Sequence, residues 1–423
     1  MKVLLVGGGG REHTLAWKLA QSPRLTELIA APGNPGIARH GRCVAIKDDA
    51  VEALRDLALR ERVDLTVVGP ELPLSLGLAD RFRERDLAVF GPSQAAARIE
   101  SSKAFAKDLM ARYRIPTTRH QVFTEVPPAR AWCRELGVPL VVKADGLAAG
   151  KGVIICRTVE EADAALALCL EAGAFGAAGA SVVVEEFMVG EEASFFALTD
   201  GTAILPLAGA QDHKTVFDGD RGPNTGGMGA YSPAPILDAP MAERVMAEIV
   251  RPTVAAMASE GVPFAGFLYV GLMIGRDGPR VVEFNCRFGD PECQVVMPRL
   301  ADDLLPLLAA AARGDGLPAA LAWKPDAAAC VVLASGGYPG RYETGLPITG
   351  VEEAAALPGV AIFHAGTARR DGVLVTAGGR VLGVQATGPD LRAAVDTAYA
   401  AADRIHFIGK HHRRDIAWRA LRR

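Results

Sequence analysis

The first hundred residues alternate short apolar runs with stretches of helical spacing. Four runs have the length and composition of buried strands: residues 3–6, 28–30, 65–68 and 88–90. Three stretches between them have the spacing of amphipathic helices: residues 11–21, 51–62 and 76–85. Apolar strands separated by helices indicate a parallel sheet covered on both faces. We therefore predict a Rossmann-like α/β domain over residues 1–100, with ligand-binding loops at the carboxyl ends of its strands.

The pattern changes twice further along the chain. Residues 101–325 have longer strands and glycine-rich connections, with strand-dense regions at 138–198 and 262–285. After residue 325 a third segment contains three predicted strands and one helix: residues 329–334, 362–366, 380–386 and 390–405. The sequence therefore predicts three segments with boundaries near residues 100 and 325.

Composition limits the class of protein. The chain has 423 residues, 50% of them hydrophobic, which is enough for several cores. Its net charge of -3 favours neither nucleic acid nor an anionic membrane as a partner. The seven cysteines are scattered without CxxC pairs, which is typical of reduced cytosolic thiols. No apolar run approaches the roughly 20 residues that a bilayer requires, and we expect a soluble cytoplasmic protein.

A glycine-rich stretch at residues 143–152 suggests phosphate binding, but it is not a P-loop. A P-loop has the form GxxxxGK[ST]; here the spacing is one residue short and glycine replaces the hydroxyl residue. The alternative is a hairpin that folds over a phosphate chain, with Lys143 supplying charge and small residues such as Gly146, Gly150 and Gly152 allowing close approach. A flexible surface hairpin with a solvated lysine remains an equal alternative from these residues alone.

The stretch from Arg280 to Glu292 predicts a metal site. Residues two apart in a strand share a face, so Glu283 and Asn285 point the same way while Val282 and Phe284 point into the core. Two oxygen ligands, with phosphates completing the shell, suit Mg²⁺. Arg287 would continue that face and supply a cation for phosphoryl transfer. An edge strand facing water is the weaker alternative, because the run leads directly into a Gly-Asp-Pro turn.

Two further stretches are less specific. The strand that ends at residues 187–189 could form an adenine slot with a nearby carboxylate for ribose, although a buried strand followed by an acidic turn is the simpler interpretation. The glycine-rich loops after residue 211 are typical of lids or substrate clamps. We assign His213 no catalytic role, since a single histidine is more often structural.

Taken together, four of these stretches resemble the phosphoribosylamine–glycine ligase (glycinamide ribonucleotide synthetase) family of ATP-grasp enzymes: residues 142–153, 211–214, 222–233 and 283–292. The likeness runs from Gly7 to Arg419. It implies an ATP-grasp region of two subdomains over residues 101–325, with a mobile lid at about 120–190, and a small β-rich domain over residues 326–423.

The resemblance also implies the chemistry. ATP, glycine and 5-phosphoribosylamine would react through a glycyl phosphate intermediate to give glycinamide ribonucleotide, ADP and phosphate. This reaction would be a step of purine biosynthesis. ATP and Mg²⁺ or Mn²⁺ would be the cofactors. We expect a cytoplasmic monomer without nucleic-acid or membrane partners.

By the same resemblance, each site residue has an expected role. ATP would be bound by Lys103, Lys143, Gly146, Gly150, Gly152, Glu185, Phe187 and Glu192. The ribose phosphate and ribose would be bound by Gly9, Gly10, Arg11, Glu12, Asn34, Glu71 and Arg413. Glycine would be held by Asp212 and Arg287, the metal by Glu283 and Asn285, and Lys143 and Arg287 would be catalytic.

Three other functions compete with this interpretation. A nicotinamide-dependent oxidoreductase is disfavoured because the glycine loop lacks the G-x-G-x-x-G spacing, position 12 being Glu. A non-catalytic nucleotide-binding regulator is disfavoured because Lys143, Glu283, Asn285 and Arg287 are all present. Another carboxylate–amine ligase with a different acid or phosphoribosyl substrate stays open.

Overall fold

The computed structural model describes residues 1–147, 152–172 and 179–423. The N-terminal segment forms a five-stranded sheet in the order β3-β2-β1-β4-β5, and every pairing in it is parallel. Its elements are β1 (Lys2–Gly7), α1 (Gly10–Leu19), β2 (Glu27–Pro32), β3 (Arg42–Cys43), α2 (Val51–Glu61), β4 (Leu65–Val68), α3 (Glu71–Ser75), α4 (Leu78–Arg83), β5 (Val89–Phe90) and α5 (Gln94–Ser101). The predicted Rossmann-like domain is confirmed.

The central segment contains two antiparallel four-stranded sheets, β6-β9-β7-β8 and β11-β10-β16-β17. Its elements up to β9 are α6 (Lys103–Arg112), β6 (His120–Phe123), α7 (Val126–Leu136), β7 (Leu140–Ala144), β8 (Val153–Cys156), α8 (Val159–Leu166) and β9 (Val182–Glu186). The rest are β10 (Glu191–Thr199), β11 (Ile204–Pro206), β12 (Gln211–Asp212), β13 (Thr215–Phe217), β14 (Arg221–Asn224), β15 (Gly229–Ser232), α9 (Ala239–Val245), α10 (Arg251–Ser259), β16 (Gly266–Gly275), β17 (Gly278–Asn285), α11 (Cys293–Val296) and α12 (Leu304–Arg313).

The C-terminal segment is built on a third large sheet with the order β12-β15-β18-β22-β19. Its elements are β18 (Ala327–Ala334), α13 (Val351–Ala355), β19 (Val360–His364), β20 (Thr367–Arg370), β21 (Val373–Thr376), β22 (Arg380–Gly388), α14 (Leu391–Ala402) and α15 (Trp418–Leu421). Because β12 and β15 come from the central segment, this sheet crosses the boundary expected near residue 325.

Two separate hydrophobic cores support the two central sheets. One core joins the N-terminal sheet to the sheet containing β17, since Leu4 and Ile29 belong to the same buried cluster as Val270 and Phe284. The β6-β9-β7-β8 sheet instead packs its apolar face on α7 and α8 in a separate cluster. The N-terminal sheet and the sheet that contains β17 therefore pack on a shared core, whereas the sheet that carries Lys143 has a core of its own.

Strand β17 departs from the predicted alternation. Its register with β16 shifts between Gly271, which pairs with Glu283, and Leu272, which pairs with Val281, so Val282 is the extra residue of a bulge. Val281 and Phe284 are buried, whereas Val282 is half-buried. The prediction that Val282 points into the core was therefore wrong, because a bulge depends on the partner strand. Among the described residues, no helix is long and apolar enough to cross a membrane.

Candidate active site

Two lysines converge on the hairpin between β7 and β8. Lys143, at the buried end of β7, donates through Nζ to the carbonyl oxygen of Val282 at 3.2 Å. Lys103, at the start of α6, donates through Nζ to the carbonyl oxygen of Gly146 at 2.9 Å. Gly146 has a φ of +140°, which favours glycine. Gly152 closes the hairpin by accepting from the Ala144 amide, and Gly150 lies outside the described residues.

Asp145 fixes this hairpin to the start of α6. Its carboxylate accepts from the Ala104 amide at 3.1 Å and from the hydroxyls of Ser102 and Ser181 at 3.4 and 3.1 Å. Burial lowers the pKa of Lys103, and the nearby Glu283 carboxylate opposes that effect. Lys103 therefore lies near both Gly146 and the Glu283 carboxylate.

Glu185, expected at adenosine, is engaged in ion pairs. Its carboxylate is 1% exposed and forms ion pairs with both Lys143 and Lys107. Burial acts to raise its pKa, but the two ammonium groups outweigh burial and lower it. Phe187 follows the end of β9 and is half-buried, and Glu192 pairs with Lys214 at 2.8 Å. The three residues expected at adenosine thus line the junction of β9 and β10.

Glu283 and Asn285 are both half-buried on β17, consistent with a shared face. Among the described residues, no group of three His, Cys, Asp or Glu side chains is placed to hold a metal ion. A divalent cation at this pair would therefore need phosphate or water oxygens as its other ligands, as Mg²⁺ normally does. The oxygen donors fit such an ion.

Arg287 lies beyond the end of β17 and bridges two carboxylates. Its guanidinium donates to Glu71 at 3.1 Å and to Glu100 at 2.9 Å. Burial acts to raise the pKa of Glu71, but Arg287 and then Arg11 outweigh it and lower the pKa to about 2. Burial raises the pKa of Glu100, which also accepts from the Cys286 amide at 2.7 Å. Arg287 and Glu71, both expected at the substrates, are brought together.

The loop before α1 is held by Glu12 from the first turn of that helix and by Asn34. Glu12 caps the helix by accepting from the Gly9 amide at 2.6 Å, and its other oxygen accepts from Arg11 Nε at 2.5 Å. A Cβ at Gly10 would lie 2.6 Å from Gln294 Nε2. Asn34 joins this loop to β19 by donating to the carbonyls of Gly8 and His364, at 2.9 and 2.8 Å. The Glu12 and Asn34 side chains are thus engaged in bracing the loop.

Asp212 lies in an acidic cluster at the edge of the C-terminal sheet. Burial raises its pKa to about 7, the Glu292 and Glu192 carboxylates add to the increase, and Lys214 opposes it. Burial also raises the pKa of Glu292, which accepts from the Ser194 hydroxyl at 3.0 Å. Two neighbouring acids with raised pKa values make a site that favours a cationic group.

Arg413 is held in a network of side-chain hydrogen bonds. Its guanidinium is fully buried and donates to Thr215, Asp220 and Asp415. All of these partners belong to the β13–β14 hairpin and the C-terminal tail, and the expectation that Arg413 closes the ribose-phosphate site stays a prediction. His213 has a structural contact, because its Nε2 accepts from the Ala417 amide at 2.9 Å.

Sequence reasoning missed several polar groups of the site. Lys107 follows Lys103 by four residues on α6, so the helical period could have revealed it. Asp145 and Glu292 lie within two of the stretches that carry the family resemblance, but their partners, like those of Glu100, lie far away in sequence and gave no signal of their own.

Comparison with known proteins covers nearly the whole chain. Residues 1–100, 101–293 and 328–419 match the N, ATP-grasp (A) and C domain models of phosphoribosylglycinamide synthetase. A phosphoribosylamine–glycine ligase of Rhizobium meliloti is 57% identical over 425 residues, covering 100% of this chain and 99% of the relative. A Pseudomonas aeruginosa protein of the same name is 54% identical over 427 residues, with the same coverage.

Solved structures agree with these matches. The crystal structure of phosphoribosylamine–glycine ligase from Thermotoga maritima has a TM-score of 0.87 and 33% identity, covering 99% of this chain and 100% of that one. A biotin carboxylase from Campylobacter jejuni, 14% identical with a TM-score of 0.75 and covering 97% and 92% of the two chains, shares the fold alone. The chain belongs to the phosphoribosylglycinamide synthetase family of ATP-grasp enzymes.

Proposed function

We propose that the chain ligates glycine to 5-phosphoribosylamine with ATP, giving glycinamide ribonucleotide, ADP and phosphate in purine biosynthesis. The names of the relatives support this reaction. The structural observation that carries it is the hydrogen bond from Lys143 to Val282, because it sets a phosphate-binding cation beside the residue that precedes Glu283. Phosphoryl transfer to a carboxylate needs such a concentration of charge and no covalent nucleophile.

ATP would lie between the two central sheets. Lys103 and Lys143 would neutralise its phosphates, and the hairpin with Gly146, Gly150 and Gly152 would cover them. Glu185, Phe187 and Glu192 would surround adenosine. Glu185 would do so while its carboxylate is ion-paired. We also propose that the region at about 120–190, which includes the β6-β9-β7-β8 sheet, is a mobile lid, and that residues 1–100, 101–325 and 326–423 are the domains.

Glu283 and Asn285 would hold Mg²⁺ or Mn²⁺ through their side-chain oxygens. When bound, the ion would offset the negative charge that develops on the transferred phosphoryl group. The remaining positive charge would come from Lys143 and from Arg287, whose guanidinium is fixed by Glu71 and Glu100.

Glycine would bind between Asp212 and Arg287. Asp212 would attract the ammonium group and Arg287 the carboxylate, which would attack the γ-phosphate. The amine of phosphoribosylamine, held by its phosphate near Gly9, Gly10 and Arg11 at the start of α1, would then displace phosphate from the glycyl carbon. Glu12, Asn34 and Glu71 would shape the ribose side. The covering hairpin would keep water from the acyl phosphate.

We propose that the enzyme acts in the cytoplasm. All seven cysteines are free thiols, which supports a reducing cytoplasm. We propose a monomer that acts on small molecules, without a nucleic-acid or membrane partner.

A coupled ADP assay tests the reaction. Phosphoribosylamine would be generated in place and a panel of amino acids supplied one at a time. ADP release should require both glycine and phosphoribosylamine, and the product should be glycinamide ribonucleotide by mass. Equal ADP release with another amino acid, or release that ignores phosphoribosylamine, would overturn the assignment in favour of another carboxylate–amine ligase.

A further inference from the structure

Lys107 is a buried cation that the proposed reaction does not use. It is 2% exposed, and its ammonium pairs with one oxygen of Glu185, while Lys143 pairs with the other. Lys107 also donates to the Thr117 hydroxyl at 2.8 Å. A single carboxylate thus holds two ammonium groups inside the protein.

The network ends on the strand that carries the metal ligands. The Thr117 hydroxyl donates to the carbonyl oxygen of Val281 at 2.8 Å, and Lys143 donates to the next carbonyl, that of Val282, at 3.2 Å. The Val281 amide in turn donates to the carbonyl oxygen of Pro116 at 2.8 Å. Both lysines of the Glu185 pair therefore act on the bulge immediately before Glu283.

The two lysines cannot have the same role once ATP is present. Lys143 is at the hairpin and would have to turn from Glu185 towards the phosphates. If it were the only counterion of Glu185, that turn would leave a buried carboxylate unpaired, which is strongly unfavourable. With Lys107 in place, Glu185 keeps a partner of opposite charge throughout.

We propose that Lys107 is a positioning residue that holds Glu185 ionised and in place, so that Lys143 can exchange Glu185 for the phosphates of ATP. This inference rests on the proposed function. Lys107 does not touch ATP or the metal ion; it acts through Glu185 on Lys143 and through Thr117 on β17.

The protonation of Lys107 supports the same role. Burial lowers its pKa to about 8, and the Glu185 carboxylate opposes that decrease. The groups that face it are Glu185 from β9, Lys143 from β7 and the uncharged Thr117. Loss of its proton above pH 8 should weaken ATP binding, and an arginine at this position should shift that weakening to higher pH.

A double-mutant cycle on the full-length chain tests the inference, with affinity for a non-hydrolysable ATP analogue as the readout. Lys107→Met should weaken binding about tenfold or more, because Lys143 becomes the only partner of Glu185. Lys107→Arg should restore most of the affinity. In the Glu185→Gln background, Lys107→Met should change affinity by less than about twofold. Arg112→Met, on the exposed end of the same helix, is the matched control.

Three outcomes decide the matter. Equal losses from Lys107→Met in the native and Glu185→Gln backgrounds, or unchanged affinity in folded Lys107→Met, would overturn the inference while leaving the proposed function intact. Absence of ATP binding and ADP release in the unmodified chain would overturn the proposed function itself. If Lys107→Met does not fold, Lys107→Gln, which keeps a donor for Thr117, takes its place in the cycle.

Discussion

Lys143 donates a 3.2 Å hydrogen bond to the carbonyl oxygen of Val282, the residue directly before Glu283. This bond joins two sheets that have separate cores, because Lys143 is on β7 and Val282 is on β17. It is made at the β17 bulge, where Val282 is the extra residue. The lysine and the carboxylate are thereby held at one point, although 140 positions separate them in the sequence.

Removing the Glu283 carboxylate should abolish turnover. Glu283→Ala deletes one of two proposed metal ligands and a charge near Lys103, so kcat should fall by about 10²-fold or more, the usual cost of losing a preorganised charge-stabilising group. ADP release across a magnesium titration measures it. Arg280→Ala, a change at a half-buried position near the start of the same strand, should have little effect. Near-normal turnover of Glu283→Ala at limiting magnesium would contradict the metal assignment.

Ionised Glu71 should stabilise the folded protein, and this stabilisation should be lost at acid pH. Its pKa in the folded protein is about 2, below its ordinary value of 4.5, so its contribution is complete above pH 4.5 and is lost as pH falls towards 2. Glu71→Gln should lower the free energy of unfolding at pH 6 by about 2–3 kcal/mol, allowing for partial solvent screening.

Urea unfolding at pH 6 and pH 3.5 checks this prediction. The difference between the unmodified chain and Glu71→Gln should narrow by about 1 kcal/mol at the lower pH. Glu243→Gln, an exposed change on α9, is the control and should show no such narrowing. A difference that stays constant with pH would mean that Arg287 does not stabilise ionised Glu71.

These polar relationships show where sequence reasoning succeeds. Four of the five strands of the N-terminal sheet were predicted, because apolar runs bounded by glycine and proline depend on local residues alone. The two-residue strand β3 (Arg42–Cys43) was missed, because it has no such run. The strand pairing around the Lys143 hairpin and the half-buried positions of Glu283 and Asn285 agree with the predicted strands, while their roles in binding phosphate and metal stay predictions.

The failures come from contacts that are remote in the sequence. The bulge at Val282 is set by Gly271 and Leu272 of the partner strand. The two carboxylates that hold Arg287 come from α3 and α5, 216 and 187 positions away. That the Glu185 carboxylate is ion-paired could be known only from the positions of Lys107 and Lys143 in the folded chain. Such partners cannot be derived from the period of a single segment.

Glycine use should depend on pH through Asp212. Its pKa of about 7 means that it is protonated below that pH and cannot attract the ammonium of glycine, whereas it is ionised above it. The logarithm of kcat/KM for glycine should therefore rise by about one for each pH unit below 7 and level off above it. Asp212→Asn should give a low value that is flat with pH. An unchanged pH profile in that variant would exclude Asp212 as the group responsible.

A variant at Arg413 can distinguish a structural role of this residue from a role in substrate binding. Its guanidinium is fully buried and donates to Thr215 at 2.9 Å, Asp220 at 3.0 Å and Asp415 at 2.8 Å, which leaves no free face for a phosphate. Arg413→Met should therefore lower the free energy of unfolding by about 3 kcal/mol or more, because Asp415 loses its ion-pair partner and Asp220 is left with Arg419. In the folded fraction, KM for phosphoribosylamine should stay within about twofold of the unmodified value.

The matched control for Arg413→Met is Arg414→Met, since Arg414 is exposed and, within the part of the chain that the structure describes, its side chain has no hydrogen bond; its backbone amide donates to Asp218. Urea unfolding and the coupled ADP assay on the same preparations give both quantities. An increased KM with unchanged unfolding would restore Arg413 to the ribose-phosphate site and would require the β13–β14 hairpin to release it when substrate binds. Lost stability with unchanged KM would establish that Arg413 ties the C-terminal tail to that hairpin, beside the acidic cluster of Asp212.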